Sequence, residues 1–107
     1  MNHDYFYPHE KFSSAIYTLA TGAEMLQNRI ADAYISHLHT LEPEDLPESI
    51  QDQFRNLCQR LTRIKDVQRG SVQATMNFMN DADAREVAIQ IVEMFQAITR
   101  AYYGLDE

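Results

Sequence analysis

The fold is decided by residues 12–41, which read FSSAIYTLATGAEMLQNRIADAYISHLHTL. Eight positions in this stretch recur at steps of four and three residues, and all but the last are apolar: Phe12, Ile16, Leu19, Ala23, Leu26, Ile30, Ala33 and His37. Steps of this size bring side chains to one face of an α-helix. The stretch therefore predicts a long helix, from about Pro8 to Leu41, that is packed along one face.

Gly22 lies in the middle of this predicted helix, where glycine costs about 1 kcal/mol relative to alanine. Three outcomes are open: Gly22 kinks the helix, splits it in two, or lets another helix approach closely. An unbroken helix of this length would be roughly 45 to 50 Å long at about 1.5 Å per residue. A compact chain of this size has a radius of gyration of only about 13 Å. The excess length therefore requires either a break near Gly22 or a second copy of the chain to cover it.

Two further segments with helical spacing follow. One begins near residues 45–47, and its apolar stripe is formed by Ile50, Phe54, Leu57, Leu61 and Ile64. The next is short and runs from Ser71 to about Met79. Polar turns that contain proline or glycine separate these segments, as expected of connections between helices.

The last segment begins at an Asn80 or Asp81 cap and ends at Gly104. No stretch of the chain alternates with the two-residue period of a strand. The sequence therefore predicts an all-α fold. We expect an antiparallel helical bundle of three main helices plus one short helix, and the sequence leaves open whether the first main helix is continuous or broken near Gly22. Residues 1–107 form a single domain in this prediction.

Charge and cysteine content exclude several classes of protein. The 107 residues include 16 Asp and Glu against 9 Lys and Arg, which gives a net charge of -7. An acidic surface disfavours nucleic acid and anionic membranes as partners. No apolar run approaches the ~20 residues of a membrane span, and the N-terminus does not resemble a signal peptide. The single Cys58 has no internal disulfide partner. We expect a cytoplasmic protein with no membrane or nucleic-acid partner.

The residues that could carry chemistry are few. His37 and His39 are two positions apart, which directs them roughly 160° apart on an α-helix, whereas helical metal ligands need to share a face. We expect His37 to be hydrogen-bonded in the packed face and His39 to lie on the surface, and we predict no metal site and no cofactor. Cys58 has no cation at helical spacing to lower its pKa, so we expect an ordinary buried or half-buried thiol.

Arg29 and His37 offer the alternative of an enzyme. In residue type they resemble the Arg and His pair of the HEPN ribonucleases, although seven residues separate them here, more than in that motif. The resemblance implies a small helical ribonuclease in which these two side chains act on RNA. No other nucleophile, base or phosphate-binding loop is evident in the sequence.

Arg60, Arg63 and Arg69 are the candidate residues for an anion-binding site. Their side chains spread around the second predicted helix and the turn after it. A solvated surface that complements the helix dipole is the simpler interpretation.

Interface candidates complete the prediction. Tyr5, Phe6 and Tyr7 belong to an aromatic tail predicted over residues 1–7, and aromatic rings are costly to leave in water. Tyr17, Ile35 and Ile89 point away from the main apolar stripes. We expect a homodimer, with another protein as a possible further partner. The sequence thus favours a non-catalytic helical protein that acts through protein–protein contacts, as a subunit, adaptor, regulator or inhibitor.

Overall fold

The computed structural model describes residues 4–105, which form five α-helices and two shorter helical turns. The α-helices are α1 (Phe6–Thr21), α2 (Leu26–Ala33), α3 (Glu48–Leu61), α4 (Ser71–Asn77) and α5 (Asp81–Tyr102). A π-helical turn (Tyr34–Leu38) continues α2, and a 3₁₀ turn (Pro43–Asp45) precedes α3. No β-strand occurs between residues 4 and 105. The all-α fold predicted from the sequence is confirmed.

Helix α1 begins at Phe6, two residues before the start predicted at Pro8. The Asp4 carboxylate accepts a hydrogen bond from the backbone amide of Phe6 at 3.0 Å. This contact satisfies one of the amides that the first turn of a helix leaves without an intrahelical partner. Phe6 and Tyr7 therefore belong to the first turn of α1 and not to a tail that precedes it. Residues 1–3 of the predicted tail lie outside the described part of the chain.

The long helix predicted from the opening stretch is split in two at Gly22, whose backbone is extended. The Arg29 side chain, from α2, lies across the break. Its Nη1 donates to the carbonyl oxygen of Leu19 at 2.6 Å, and its Nε donates to that of Glu24 at 2.8 Å. Arg29 thereby satisfies a carbonyl that the end of α1 would otherwise leave unpaired.

The π-helical turn after α2 changes which side chains face the core. The backbone amide of His39 donates to the carbonyl oxygen of Tyr34, five residues earlier, at 2.9 Å. This wider turn rotates the apolar stripe relative to a regular α-helix. Leu38 is fully buried as a result, while His37 is half-buried and Ile35 is exposed.

The core forms where the helices meet. α1 packs against α2 and α5, α2 packs against α4 and α5, and α3 packs against α4 and α5. The rings of Phe12 and Phe54 meet in this core with their planes tilted by 58° and their centroids 6.2 Å apart. The largest fully buried side chains are Phe12, Phe54, Ile30, Leu38, Leu46, Leu57, Leu61, Met76, Ile91, Met94, Ile98 and Val87.

Two contacts show how the ends of the helices are arranged. The Phe6 ring, in the first turn of α1, lies 6.2 Å from the Tyr102 ring in the last turn of α5. At the start of α2, the Gln27 side chain bonds to Asp81 at the start of α5. These contacts are compatible with antiparallel packing of α1 and α5. The radius of gyration is 13.7 Å, so the split first helix fits a compact molecule without a second copy.

Candidate functional site

A cleft of about 200 Å³ opens between the start of α2 and the end of α4. It is lined by three methionines and three side-chain amides: Met25, Met76, Met79, Gln27, Asn28 and Asn77. Of these residues, Met76 is fully buried, whereas Met25 is 58% exposed. We call this surface the methionine cleft. Its lining can contact apolar and polar groups at the same time.

The buried side chain of Gln27 holds the two walls of the methionine cleft together. Its Nε2 donates to the carbonyl oxygen of Met79 at 3.0 Å and to Oδ1 of Asp81 at 2.9 Å. Both protons of the amide nitrogen are thus used, which fixes the orientation of the side chain. The sequence does not predict this cleft, because nothing in the local pattern distinguishes Gln27 from a surface glutamine.

A second surface forms where the first turns of α1 meet the last turns of α5. The His9 ring stacks on Tyr102, with centroids 4.7 Å apart and planes 15° apart, and it also lies 5.5 Å from Phe95. Tyr103 packs edge-on against His9 at 5.9 Å. We call Phe6, His9, Phe95, Tyr102 and Tyr103 the aromatic end cluster. It joins the two helices and leaves Phe6 and Tyr103 more than half exposed.

The aromatic residues predicted as an interface are separated by the structure. Phe6 joins the aromatic end cluster through its contact with Tyr102. The Tyr7 hydroxyl instead bonds to Oγ1 of Thr40 at 3.1 Å, which ties the start of α1 to the turn after the π segment. Tyr5 is half-buried beside the start of α1.

The other three predicted interface residues lie on different helical segments. Tyr17 is exposed on α1, Ile35 on the π-helical turn and Ile89 on α5. Ile89 is followed one turn later by Val92, which is equally exposed. These two aliphatic side chains extend the exposed apolar surface of α5.

Two of the three candidate anion-binding residues have carboxylates nearby. Nη1 of Arg60 lies 2.7 Å from Oε1 of Glu86, and Nε of Arg69 lies 3.4 Å from Oδ2 of Asp66. Arg63 is exposed. An external anion would have to compete with these carboxylates for Arg60 and Arg69.

Cys58 is half-buried and in contact with Tyr34, the first residue of the π-helical turn. Burial raises the pKa of the Cys58 thiol above its ordinary value of 9.0, and the hydrogen bond from Tyr34 only partly opposes this. Burial raises the pKa of the Tyr34 hydroxyl as well. A thiol with a raised pKa is a poor nucleophile at neutral pH. Of the two burial states expected for Cys58, buried and half-buried, the structure shows the second.

Arg29 and His37 are the two residues of the enzyme alternative. Both form hydrogen bonds with α1 or with the turn after it. Nε2 of His37 lies 3.3 Å from Oγ1 of Thr18, while Arg29 donates to backbone carbonyls. His39 is exposed. The prediction that His37 is hydrogen-bonded in the packed face and His39 lies on the surface is confirmed.

The described part of the chain holds neither a metal-binding cluster nor a membrane-spanning helix. Residues 4–105 contain no group of three or more His, Cys, Asp or Glu side chains that could hold a metal ion. Within that range, no helix combines the length and hydropathy needed to cross a bilayer. No family model, curated protein or solved structure matches the chain.

Proposed function

We propose that this chain is a non-catalytic helical module that works through protein–protein contacts, and that its first partner is a second copy of itself. The aromatic end cluster carries the proposal. Phe6 is 51% exposed and Tyr103 is 62% exposed, although an aromatic side chain can bury about 150–250 Å². Leu105 extends the same end of the molecule and is also largely exposed. Contiguous apolar surface of this kind commonly marks an interaction site.

The outer face of α5 supports the same proposal. Ile89 and Val92 are each 39% exposed. At about 100° per residue, these two positions and Tyr103 lie within about 60° of one another around the helix axis. They share one face of α5, on which the exposed polar residues Gln96 and Arg100 lie between Val92 and Tyr103. A two-fold interface repeats one such surface on both copies, and two-fold dimers are the commonest soluble oligomers.

The contacts of the reactive residues also favour a non-catalytic role. Arg29 donates to backbone carbonyls, His37 bonds to Thr18, and Cys58 bonds to Tyr34. Each of these side chains has a structural partner within the fold. The described contacts therefore offer no specific support for the ribonuclease alternative.

The net charge of -7 predicts how self-association depends on salt concentration. Two copies repel each other, and added salt screens that repulsion. The proposed dimer should therefore become more stable as the salt concentration rises.

We also propose a cytoplasmic location, because reducing compartments suit a protein whose single Cys58 has no disulfide partner.

Sedimentation equilibrium tests the proposal with a matched set of variants. The wild-type chain should have the mass of two copies, and a double variant, Phe6→Ser with Tyr103→Ser, should have the mass of one. Val67→Ser is the control, because Val67 is a fully exposed apolar residue in the turn between α3 and α4. A wild-type monomer at every concentration would contradict self-association. An undiminished dimer in the double variant would contradict the use of the aromatic end cluster.

A further inference from the structure

We infer that the methionine cleft binds one large apolar side chain of a partner protein, on a segment that carries Lys or Arg on both sides of it. The inference rests on the proposed function, because it names the chemistry of a second partner for a protein-contact module. It concerns a different surface from the aromatic end cluster.

The volume of the cleft argues for a single side chain. Sites for small-molecule ligands usually enclose about 300–1,000 Å³, and this cleft has about 200 Å³. Protein interfaces concentrate their binding energy in a few anchor side chains that fill pockets of this kind. The side-chain amides of Asn28 and Asn77, which line the cleft, can form hydrogen bonds with the partner's backbone on either side of such an anchor.

The chemistry of the lining favours an aromatic or long aliphatic anchor. Met25 and Met79 are unbranched, polarisable and only partly buried, so they can adjust to the shape of an inserted side chain. Met76 is fully buried and provides a fixed apolar base. Phe78 precedes Met79 in the chain and is 75% exposed, which adds apolar surface next to the cleft.

The charges around the cleft favour a basic segment over a second copy. Glu24 directly precedes Met25, and Asp81 accepts the hydrogen bond from Gln27. The ion pairs of the described residues use other carboxylates. Complementary charge would steer a basic segment to this position and hold its flanks. A second copy would bring a further net charge of -7.

A methyl NMR titration tests the inference. The chain is labelled with ¹³C in the methionine methyl groups, and its five methionines include Met94, which is fully buried in α5 and serves as an internal reference. The probe is the acetylated peptide amide Lys-Lys-Phe-Lys-Lys. Two comparison peptides replace Phe by Ser, or all four Lys by Glu.

We expect the Phe peptide to shift the methyl signals of Met25, Met76 and Met79 in a saturable manner and to leave Met94 unchanged. Loss of the anchor or reversal of the flanking charges should weaken binding by about tenfold or more. The Met25→Lys variant, which places a like charge at the edge of the cleft, should show a similar loss. Val67→Lys makes the same charge change at a distant exposed position and should alter the affinity less than about twofold.

Four results would overturn the inference. The first two are methyl signals that do not shift with the Phe peptide, and methyl signals that shift equally with the Ser peptide. The third is an equal loss of peptide affinity in Met25→Lys and Val67→Lys, and the fourth is a shift of the cleft methyl signals when the chain is diluted without peptide. The last would show that a second copy occupies the cleft. These outcomes leave the sedimentation test of the aromatic end cluster unaffected, so failure of the inference is distinguishable from failure of the proposed function.

Discussion

Arg29 occupies the space that a side chain on Gly22 would need. A Cβ atom on Gly22 would lie 2.7 Å from Cγ and 2.9 Å from Cδ of Arg29, well inside the roughly 3.5–4.0 Å at which carbon atoms pack. The backbone of Gly22 has φ −65°, which any residue can adopt. Space, and not backbone conformation, therefore makes glycine necessary at the turn between α1 and α2.

This relationship predicts a dependence of one substitution on the other. Gly22→Ala should lower the free energy of unfolding by about 1–2 kcal/mol, because Arg29 must give up hydrogen bonds to backbone carbonyls. In an Arg29→Ala background, the same change should have little effect on stability, because the remaining close approach of the Cβ to the carbonyl oxygen of Thr18, at 3.1 Å, opposes the gain from restricting the unfolded chain. Urea denaturation of the four proteins measures both effects. An equal effect in the two backgrounds would show that the residues are not coupled.

The start of α5 depends on Asn80. Its Oδ1 accepts a hydrogen bond from the backbone amide of Asp83 at 2.7 Å. Asn80→Ala should lower the free energy of unfolding by about 1 kcal/mol. Asn56→Ala, at an exposed position within α3, is the control and should leave stability unchanged or slightly higher. Equal thermal melting curves for Asn80→Ala and the wild type would rule out this capping role.

Gln27 is expected to be more important for stability than an ordinary glutamine. Gln27→Ala leaves the carbonyl of Met79 and the carboxylate of Asp81 without this donor, which should cost about 1–3 kcal/mol. Gln59→Ala, at an exposed position in α3, should have little effect. Denaturant titration of both variants checks the expectation. A loss in Gln27→Ala no larger than in Gln59→Ala would mean that Gln27 does not hold the cleft walls together.

The contact between Cys58 and Tyr34 predicts a loss of stability in alkaline solution. Burial raises the pKa of the Cys58 thiol in the folded chain above 9.0, so the folded state retains the proton after the unfolded state has lost it. The associated stability is complete below about pH 9 and declines above it, by at most about 1.4 kcal/mol per pH unit for one group. We expect the free energy of unfolding to fall less steeply between pH 9 and pH 10 in Cys58→Ala than in the wild type.

Identical slopes in the two proteins would contradict a buried, protonated thiol. Burial raises the pKa of the Tyr34 hydroxyl as well, so this group adds to the loss of stability at alkaline pH. The double variant Cys58→Ala with Tyr34→Phe should therefore have a shallower slope between pH 9 and pH 10 than Cys58→Ala alone.

The sequence predicts the helices whose apolar spacing is regular. Phe54 and Leu57 of α3, like Ile91 and Ile98 of α5, are buried as their spacing indicates. Of the two caps that the sequence predicts for α5, Asn80 and Asp81, Asn80 is the one that caps the helix. In these helices, the local conformational preference of the sequence and the packing of the helices against one another favour the same structure.

The features that the sequence left open depend on contacts between distant residues. The choice among a kink, a split and a close approach at Gly22 depends on where the Arg29 side chain lies. The π-helical turn at Tyr34 has no signature in apolar spacing. The methionine cleft depends on the hydrogen bond between Gln27 and Asp81, 54 positions apart. Local periodicity carries no information about such contacts, and packing decides them.

The most direct test of the proposed self-contact is an isotope-filtered NOE measurement on an equimolar mixture of labelled and unlabelled chains. Our account predicts contacts between copies from the ring protons of Phe6 and Tyr103, with further contacts from the methyl groups of Ile89 and Val92. NOEs between copies that arise only from other surfaces, or none at a concentration where the chain sediments as a dimer, would contradict it.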